Sequence, residues 1–202
     1  MIKAVFFDYD GVLTRDKTGT LTTNRFLSEH TGISYEAVCE AFRPYNAKLN
    51  EGKQNYSDIW SEVCASLRRA LPYDLLIAAF ESTPTNAEMF AMARELKTHC
   101  PVGIITDNKK ERIERLRQYQ RLDELFDPIV VSAEVRCTKA NIAIFQYALG
   151  RVGVRPEDSM FIDNSVRNLV APAALGMKTV YFDDEKNDVA ALALRIRHEI
   201  GA

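Results

Sequence analysis

The sequence predicts an α/β fold, in which a doubly wound parallel sheet carries an α-helical cap inserted after its first strand. Short apolar runs recur along the chain between longer amphipathic stretches, and parallel strands need crossovers of that length, which are usually helices. The runs lie at residues 2–7, 102–105, 129–131, 160–162 and 179–182. Residues 16–82 break this alternation, because they contain helical stretches without a convincing strand. We therefore expect a sheet of at least five strands and one helical insertion.

The length and charge of the chain limit its function. A chain of 202 residues can bury a sizeable core. Its 26 Lys and Arg residues nearly balance its 28 Asp and Glu residues, which argues against non-specific binding to nucleic acid or a membrane surface. The four cysteines are scattered, so neither a zinc site nor a disulfide framework is indicated. No apolar run approaches a signal-peptide core or a membrane span. We expect a cytoplasmic protein with a small-molecule partner.

The amphipathic stretches of the core are predicted to be helices. They lie at residues 86–98, 109–119, 139–149, 166–175 and 189–200. Asn86 at the start of the first, Gly150 after the third and Gly176 after the fourth match the polar starts and glycine stops that are typical of helices.

The inserted block is predicted to be entirely helical. Its helices are expected at residues 22–30, 34–42, 56–69 and 72–80. An insert after the first strand would lie over the carboxyl ends of the strands, where open α/β sheets bind their ligands. We therefore divide the chain into a core, residues 1–15 and 83–202, and a helical cap, residues 16–82.

The first strand ends in two carboxylates separated by one residue, Asp8 and Asp10. In extended chain, residues two apart point the same way, so both side chains could face one ligand. Gly11 permits the sharp turn that such a strand end needs. Two carboxylates this close repel each other unless a cation or a proton lies between them, and Mg²⁺ prefers such oxygen ligands.

Three later positions strengthen this prediction. Thr106 ends the second strand, where its hydroxyl and the following backbone N–H groups, starting at Asp107, could hold a phosphoryl oxygen. Lys139 is expected to begin a helix, although the helix macrodipole disfavours a cation at that end. A role in neutralising the charge of a carboxylate and a phosphate explains this unfavourable position. A further strand ends at Asp163, a natural additional metal ligand, followed by Asn164.

These residues resemble the haloacid dehalogenase-like hydrolases, whose signature is four strand-end motifs in a fixed order. The motifs here are Asp8/Asp10, Thr106, Lys139 and Asp163/Asn164. Residues 6–14 are similar to the opening motif of the family, and residues 161–177 to its last motif and the helix that follows. The helical insert is similar to the small cap of that family. The resemblance covers essentially the whole chain and implies a Rossmann-like core.

The resemblance implies a two-step phosphoryl transfer from a small phosphorylated metabolite. Asp8 would attack phosphorus, and Asp10 would protonate the leaving oxygen and then activate water. Lys139 would neutralise charge and, with Thr106 and Asp107, bind the phosphate.

The resemblance also implies the ligands of a Mg²⁺ cofactor. The Asp8 side chain, the Asp10 main-chain carbonyl and Asp163 would hold the ion. The sequence departs from many relatives at Asn164, where they carry a second acid, but an amide oxygen can still ligate a hard cation. Alanine, asparagine and isoleucine after Lys139 also replace a common Pro-Asp-Pro.

Several alternatives stay open at this stage. Dehalogenases of the same superfamily generally lack the second aspartate, so Asp10 argues against that activity. Sugar-phosphate mutases keep both aspartates, and a catalytically weak regulatory or binding protein would retain the fold. The sequence does not name the physiological substrate or indicate the oligomeric state.

Substrate choice is expected to lie in the cap, because the core motifs contact only the phosphoryl group. Two basic residues, Arg43 and Lys53, lie in a polar stretch between predicted cap helices. We take them as candidates for contact with the leaving group, although a solvated loop is at least as good an explanation of this stretch.

Overall fold

A five-stranded parallel sheet forms the centre of the computed structural model, which describes residues 1–201. Its strands are β1 (Ala4–Phe7), β2 (Val102–Thr106), β3 (Ile129–Val131), β4 (Ser159–Asp163) and β5 (Lys178–Tyr181). Their order is β3-β2-β1-β4-β5, and all pairings are parallel. The α/β fold with a parallel sheet is therefore confirmed.

The first five of the six helices between β1 and β2 pack around a hydrophobic cluster of their own. They are α1 (Gly19–Thr31), α2 (Tyr35–Phe42), α3 (Asn46–Asn50), α4 (Tyr56–Ser66) and α5 (Tyr73–Glu81). We call residues 16–82 the helical insert. The chain segments that enter and leave it are paired, since Thr14 forms an antiparallel bridge with Thr85 and the Asn86 N–H donates to the Leu13 carbonyl at 2.9 Å. The division of the chain into a core and a cap that act as separate units stays a prediction.

The remaining helices cover both faces of the sheet. They are α6 (Ala87–Lys97), α7 (Lys110–Gln120), α8 (Ser132–Val135), α9 (Ile142–Val152), α10 (Val170–Leu175) and α11 (Val189–Ile200). Successive β1 side chains alternate between the faces: Val5 and Phe7 pack with residues of α6, α7 and α11, whereas Ala4 and Phe6 pack with residues of α9 and α10. Burial on both faces explains why the strand sequence is continuously apolar.

Three local predictions need correction. The helix expected at Lys139 begins only at Ile142, because Asn141 acts as its N-cap and accepts a hydrogen bond from the Ala143 N–H at 3.0 Å. The same helix runs through Gly150 and ends at Gly153, whose positive φ of 68° suits a left-handed cap. The helix expected over residues 166–175 is a 3₁₀ turn followed by α10.

The insert contacts the core mainly through α7. The Glu111 carboxylate at the start of α7 accepts hydrogen bonds from the Tyr56 and Ser57 N–H groups and, at 3.1 Å, from the Tyr73 hydroxyl. On the other side, Gly52 lies so close to the Ala133 carbonyl that a Cβ there would meet this oxygen at 1.9 Å. These contacts place the insert above the carboxyl edge of the sheet.

No helix among residues 1–201 is long and apolar enough to cross a membrane.

The sheet topology also fixes where a ligand can bind. From β1 the chain continues to β2 and β3 on one side, then crosses to β4 and β5 on the other. The carboxyl ends of β1 and β4 therefore flank a topological switch point, which is the usual ligand site of an open α/β sheet.

The tight packing of the sheet generates a test of the fold. A Cβ on Gly103 of β2 would lie 2.8 Å from both the Phe6 ring and the Pro128 carbonyl. We expect Gly103→Ala to lower the free energy of unfolding by about 1–3 kcal/mol, the usual cost of overpacking. Urea denaturation measures this change.

Gly150→Ala is the matched control, because Gly150 is exposed in the last turn of α9 and its added methyl group meets nothing within 4 Å. It should raise stability by up to about 1 kcal/mol through helix propensity. Equal stability of the two variants would contradict the described packing of β2.

Candidate active site

Three of the predicted site residues lie at the ends of neighbouring strands. Asp8 follows β1, Thr106 ends β2 and Asp163 ends β4, and β1 pairs with both other strands. The Asp8 N–H donates to the Ile162 carbonyl at 2.8 Å. This bond continues the β1–β4 ladder as far as Asp8 and Asp163, which are therefore neighbours. The sheet therefore brings together residues that are far apart in the chain.

The Lys139 ammonium connects the two acids. Its Nζ lies 2.8 Å from Asp8 Oδ1 and 2.7 Å from Asp163 Oδ2, and all three side chains are buried. Burial alone would lower the pKa of Lys139, but the charges of Asp8 and Asp163 outweigh it and raise this pKa above its ordinary value. Lys139 is thus held in the charged form.

Lys139 reaches this position from a turn before α9 rather than from a helix N-terminus. Its backbone N–H donates to Asp107 Oδ1 at 2.8 Å, so the loop after β2 anchors the lysine. The predicted conflict between the charge of Lys139 and a helix macrodipole therefore does not arise, because the helix begins only at Ile142.

Asp8 keeps one oxygen for a ligand. Oδ1 accepts hydrogen bonds from the Tyr9 N–H at 2.8 Å and from Lys139, whereas Oδ2 has no hydrogen-bond partner within residues 1–201. Burial raises the pKa of Asp8 to about 7, and Lys139 offsets only part of this effect. Lys139 thus supplies one positive charge beside the two carboxylates of Asp8 and Asp163.

Asp163 is oriented by the segment that follows β4. Its Oδ1 accepts the Ser165 N–H at 2.7 Å, and Asn168 Nδ2 donates to both carboxylate oxygens at 3.1 Å. Every donor favours an ionised carboxylate.

Asp10 lies in the loop after β1, and its side chain is bound by residues of α7 and of the loop before α7. Arg112 forms a bidentate pair with its carboxylate at 2.9 and 3.0 Å, and Asn108 Nδ2 donates to the same carboxylate at 2.7 Å. Arg112 is fully buried, also donates to Thr83 at 3.1 Å, and lies with its Cζ 5.7 Å from the centre of the Tyr9 ring. This ion pair holds the Asp10 side chain in one orientation.

Arg112 and Asn108 were not predicted as site residues. A signal for Arg112 was present, because it lies four residues before Leu116 and so falls on the buried stripe of its helix. A charged residue in an apolar stripe indicates a buried partner.

A cavity of about 530 Å³ lies between the strand ends and the helical insert. The predicted residues that line it are Asp8, Asp10, Thr106, Asp107, Lys139 and Asn164. The insert contributes Lys17 to Thr20 and Asn50, and Lys109 and Arg167 of the core complete its basic lining. Gly11, with φ of 77°, packs against Asn164, whose amide nitrogen would lie 2.0 Å from a Cβ at that position.

The two predicted specificity residues lie outside this cavity. Arg43 is exposed and pairs with Glu40 at 2.7 Å, and exposed Lys53 pairs with Glu51 at 2.6 Å. The stretch that carries them also contains the short helix α3. Their charges are therefore compensated on the surface, and the structure does not bring either residue to the candidate site.

The donor atoms fit a hard divalent cation. Asp8 and Asp163 offer carboxylate oxygens at a place where a single ammonium, that of Lys139, faces two carboxylates. Within residues 1–201 no three acidic, His or Cys side chains cluster as metal ligands, because the Asp10 carboxylate turns towards Arg112. A cation here would need main-chain or amide oxygen, such as the Asp10 carbonyl or Asn164, and Mg²⁺ accepts both.

The fold and the strand-end motifs define a class of α/β hydrolase, and a family model identifies it. Residues 2–176 match the model described as haloacid dehalogenase-like hydrolase. The chain therefore belongs to this family, and the resemblance seen in its motifs is confirmed.

Two curated relatives are phosphatases by name. The chain is 28% identical over 192 residues to "Pyrophosphatase PpaX" of Bacillus cereus (strain B4264), covering 88% of this chain and 82% of the relative. It is 28% identical over 200 residues to "Glyceraldehyde 3-phosphate phosphatase" of Methanothermobacter thermautotrophicus, covering 92% and 87%.

Solved structures share the fold. A predicted HAD-like family hydrolase from Porphyromonas gingivalis superposes with a TM-score of 0.77 at 22% identity, covering 98% of both chains. A HAD family enzyme from Bacteroides thetaiotaomicron, solved with magnesium and inorganic phosphate, superposes with a TM-score of 0.71 at 16% identity, covering 90% of this chain and 94% of that one.

The buried pair of Arg112 and Asp10 generates a second test. Arg112→Met leaves the Asp10 carboxylate buried without its cation, and breaking such a pair typically costs about 3–5 kcal/mol. The control is Arg117→Met on the same helix, because Arg117 forms an exposed pair with Asp123 worth under about 1 kcal/mol. Urea denaturation of both variants measures the difference. A change below about 1 kcal/mol for Arg112→Met would contradict the assigned role of this pair.

Proposed function

We propose that this protein hydrolyses a small-molecule phosphate monoester in a Mg²⁺-dependent reaction that passes through a phosphorylated Asp8. One observation carries the proposal: the Asp8 carboxylate is fixed by Lys139 and the Tyr9 N–H through Oδ1, which leaves Oδ2 free at the cavity. A fixed carboxylate with one free oxygen is suited to attack an electrophile. Membership of the hydrolase family and the phosphatase relatives support it.

In the first step, Asp8 Oδ2 forms a bond to phosphorus while the bond from phosphorus to the leaving-group oxygen breaks. Asp10 donates a proton to that oxygen, so the leaving group departs as an alcohol. In the second step, Asp10 takes a proton from water, whose oxygen attacks phosphorus and releases inorganic phosphate and free Asp8.

Lys139 stabilises the charge that develops in both steps. Its ammonium already contacts Asp8 and is held charged, so it can compensate a phosphoryl oxygen without reorganisation. The Thr106 hydroxyl and the backbone after it lie on the same cavity and are suited to bind the other oxygens.

The role of Asp10 requires a rearrangement. Both of its oxygens accept N–H donors from Arg112 or Asn108, an arrangement that suits the carboxylate rather than the acid. We infer that substrate binding turns Asp10 from Arg112 towards the leaving oxygen, where it takes up its proton.

Mg²⁺, held by the Asp8 side chain, the Asp10 carbonyl and Asp163 with Asn164 nearby, would neutralise charge between the nucleophile and the phosphate. The relative solved with magnesium and inorganic phosphate has the same fold.

A panel of metabolite phosphates tests this function. The protein should release inorganic phosphate from at least one of them with Mg²⁺, lose this activity in EDTA and regain it when Mg²⁺ is restored. Asp8→Asn should lower kcat by about a thousandfold or more, as expected for loss of a nucleophile. Asp123→Asn on the surface is the matched control and should keep wild-type activity.

The product distinguishes the alternatives. An isomerised phosphate ester in place of free phosphate would indicate a mutase, and halide release from a 2-haloacid would indicate a dehalogenase. Full activity of a folded Asp8→Asn protein would refute the mechanism, and inactivity of wild type on the whole panel would favour a binding protein.

A further inference from the structure

Lys109 is a buried cation without an acidic partner. It is 7% exposed and lines the cavity, and its Nζ makes one hydrogen bond, to Thr20 Oγ1 at 2.9 Å. No carboxylate within residues 1–201 lies within 4.0 Å of it. The other two fully enclosed basic side chains of the site are both paired, Arg112 with Asp10 and Lys139 with Asp8 and Asp163.

A buried ammonium without a paired counter-charge is costly. Burial lowers the pKa of Lys109 to about 8, with Arg112 adding to the effect and the more distant Asp10 opposing it. The amine still carries its proton at pH 7. Since buried charges are normally paired, the position is unfavourable in the free protein and becomes favourable when an anion enters.

The surroundings of Lys109 suit an anion. Thr18, Gly19 and Thr20, the N-cap and first turn of α1, line the same cavity, and the Gly19 and Thr20 N–H groups have no acceptor within residues 1–201. A helix N-terminus attracts negative charge. Exposed Lys17 and Arg167, which form no ion pair with any residue of the described range 1–201, add two cations to the lining.

The acidic residues of the cavity do not compete for this position. In the free protein Asp8 is paired with Lys139, Asp107 accepts the Lys139 N–H, and Asp10 is paired with Arg112. The part of the cavity next to the insert is therefore cationic, and it is distinct from the reaction centre at the strand ends.

We propose that Lys109 and the N-terminus of α1 bind a second anionic group, a carboxylate or a phosphate, on the leaving group of the substrate. The preferred substrate class is thus a phosphate monoester with two anionic ends. One end occupies the reaction centre, and the other bridges the core residue Lys109 and the helical insert. The statement that one end of the ligand reacts rests on the proposed function, whereas the binding of the other end at Lys109 does not.

The test compares three substrates that differ at the second end. Glycerol 3-phosphate ends in a hydroxyl, 3-phosphoglycerate in a carboxylate and glycerol 1,3-bisphosphate in a phosphate. Wild type should show a kcat/KM at least tenfold higher for one or both anionic substrates than for glycerol 3-phosphate. The substrate with the higher value identifies which anion the subsite takes.

Lys109→Met should remove this preference, lowering kcat/KM for the anionic substrates at least tenfold while leaving that for glycerol 3-phosphate within twofold. Lys110→Met is the matched control, because the neighbouring Lys110 is exposed and pairs with Glu114. It should leave all three values unchanged. The melting temperature of Lys109→Met should equal or exceed that of wild type, since an unpaired buried charge is replaced by an apolar side chain.

An equal loss on all three substrates, or no loss on any, would overturn the proposal. Calorimetric titration of the Asp8→Asn protein with 3-phosphoglycerate, glycerol 1,3-bisphosphate and glycerol 3-phosphate separates it from the proposed function. Suppose that the wild-type protein releases no phosphate, but the Asp8→Asn protein binds an anionic compound at least tenfold more tightly than glycerol 3-phosphate. If the added substitution Lys109→Met abolishes this difference, the subsite stands and the phosphatase proposal fails. Equal affinity for all three compounds overturns the subsite whatever the activity.

Discussion

The ammonium of Lys139 between the carboxylates of Asp8 and Asp163 is the interaction on which the rest of the site depends. The two acids are brought together by adjacent strands and buried, so they would repel each other without a cation between them. One ammonium can balance only one of these two negative charges, and burial raises the pKa of Asp8 to about 7. The same shortage of positive charge makes the site suitable for a divalent cation and for the catalytic use of Lys139.

The sheet and the insert contribute different parts of the candidate site. Strand β1 lies at the centre of the sheet, so the loop after it faces both the Thr106 end of β2 and the Asp163 end of β4. The insert closes this edge and contributes polar and basic groups to the cavity, while α7 supplies Arg112 on one side and holds the insert through Glu111 on the other. A change in α7 therefore affects Asp10 and the insert together.

The sequence predicted the strands and the acids at their ends well, because continuous apolar runs and the residues that follow them are local signals. It misplaced the start of α9, since Asn141 is a better N-cap than the position at Lys139. It did not predict the pair of Arg112 and Asp10, whose members are 102 residues apart and meet only in the folded chain. Arg43 was chosen for its charge, but charge alone does not distinguish a ligand contact from a surface pair with Glu40.

The central claim is that Asp8 becomes phosphorylated during turnover, and chemical trapping tests it most directly. Borohydride reduces an acyl phosphate to an alcohol and would convert a phosphorylated Asp8 to homoserine. The experiment uses the Asp10→Asn protein with Mg²⁺ and an aryl phosphate, because a good leaving group departs without protonation while hydrolysis of the intermediate is slowed. Mass spectrometry of the peptide that contains residue 8 should then show homoserine only when substrate is present. Release of the aryl alcohol with unmodified aspartate at residue 8, or modification of another residue, would contradict the account.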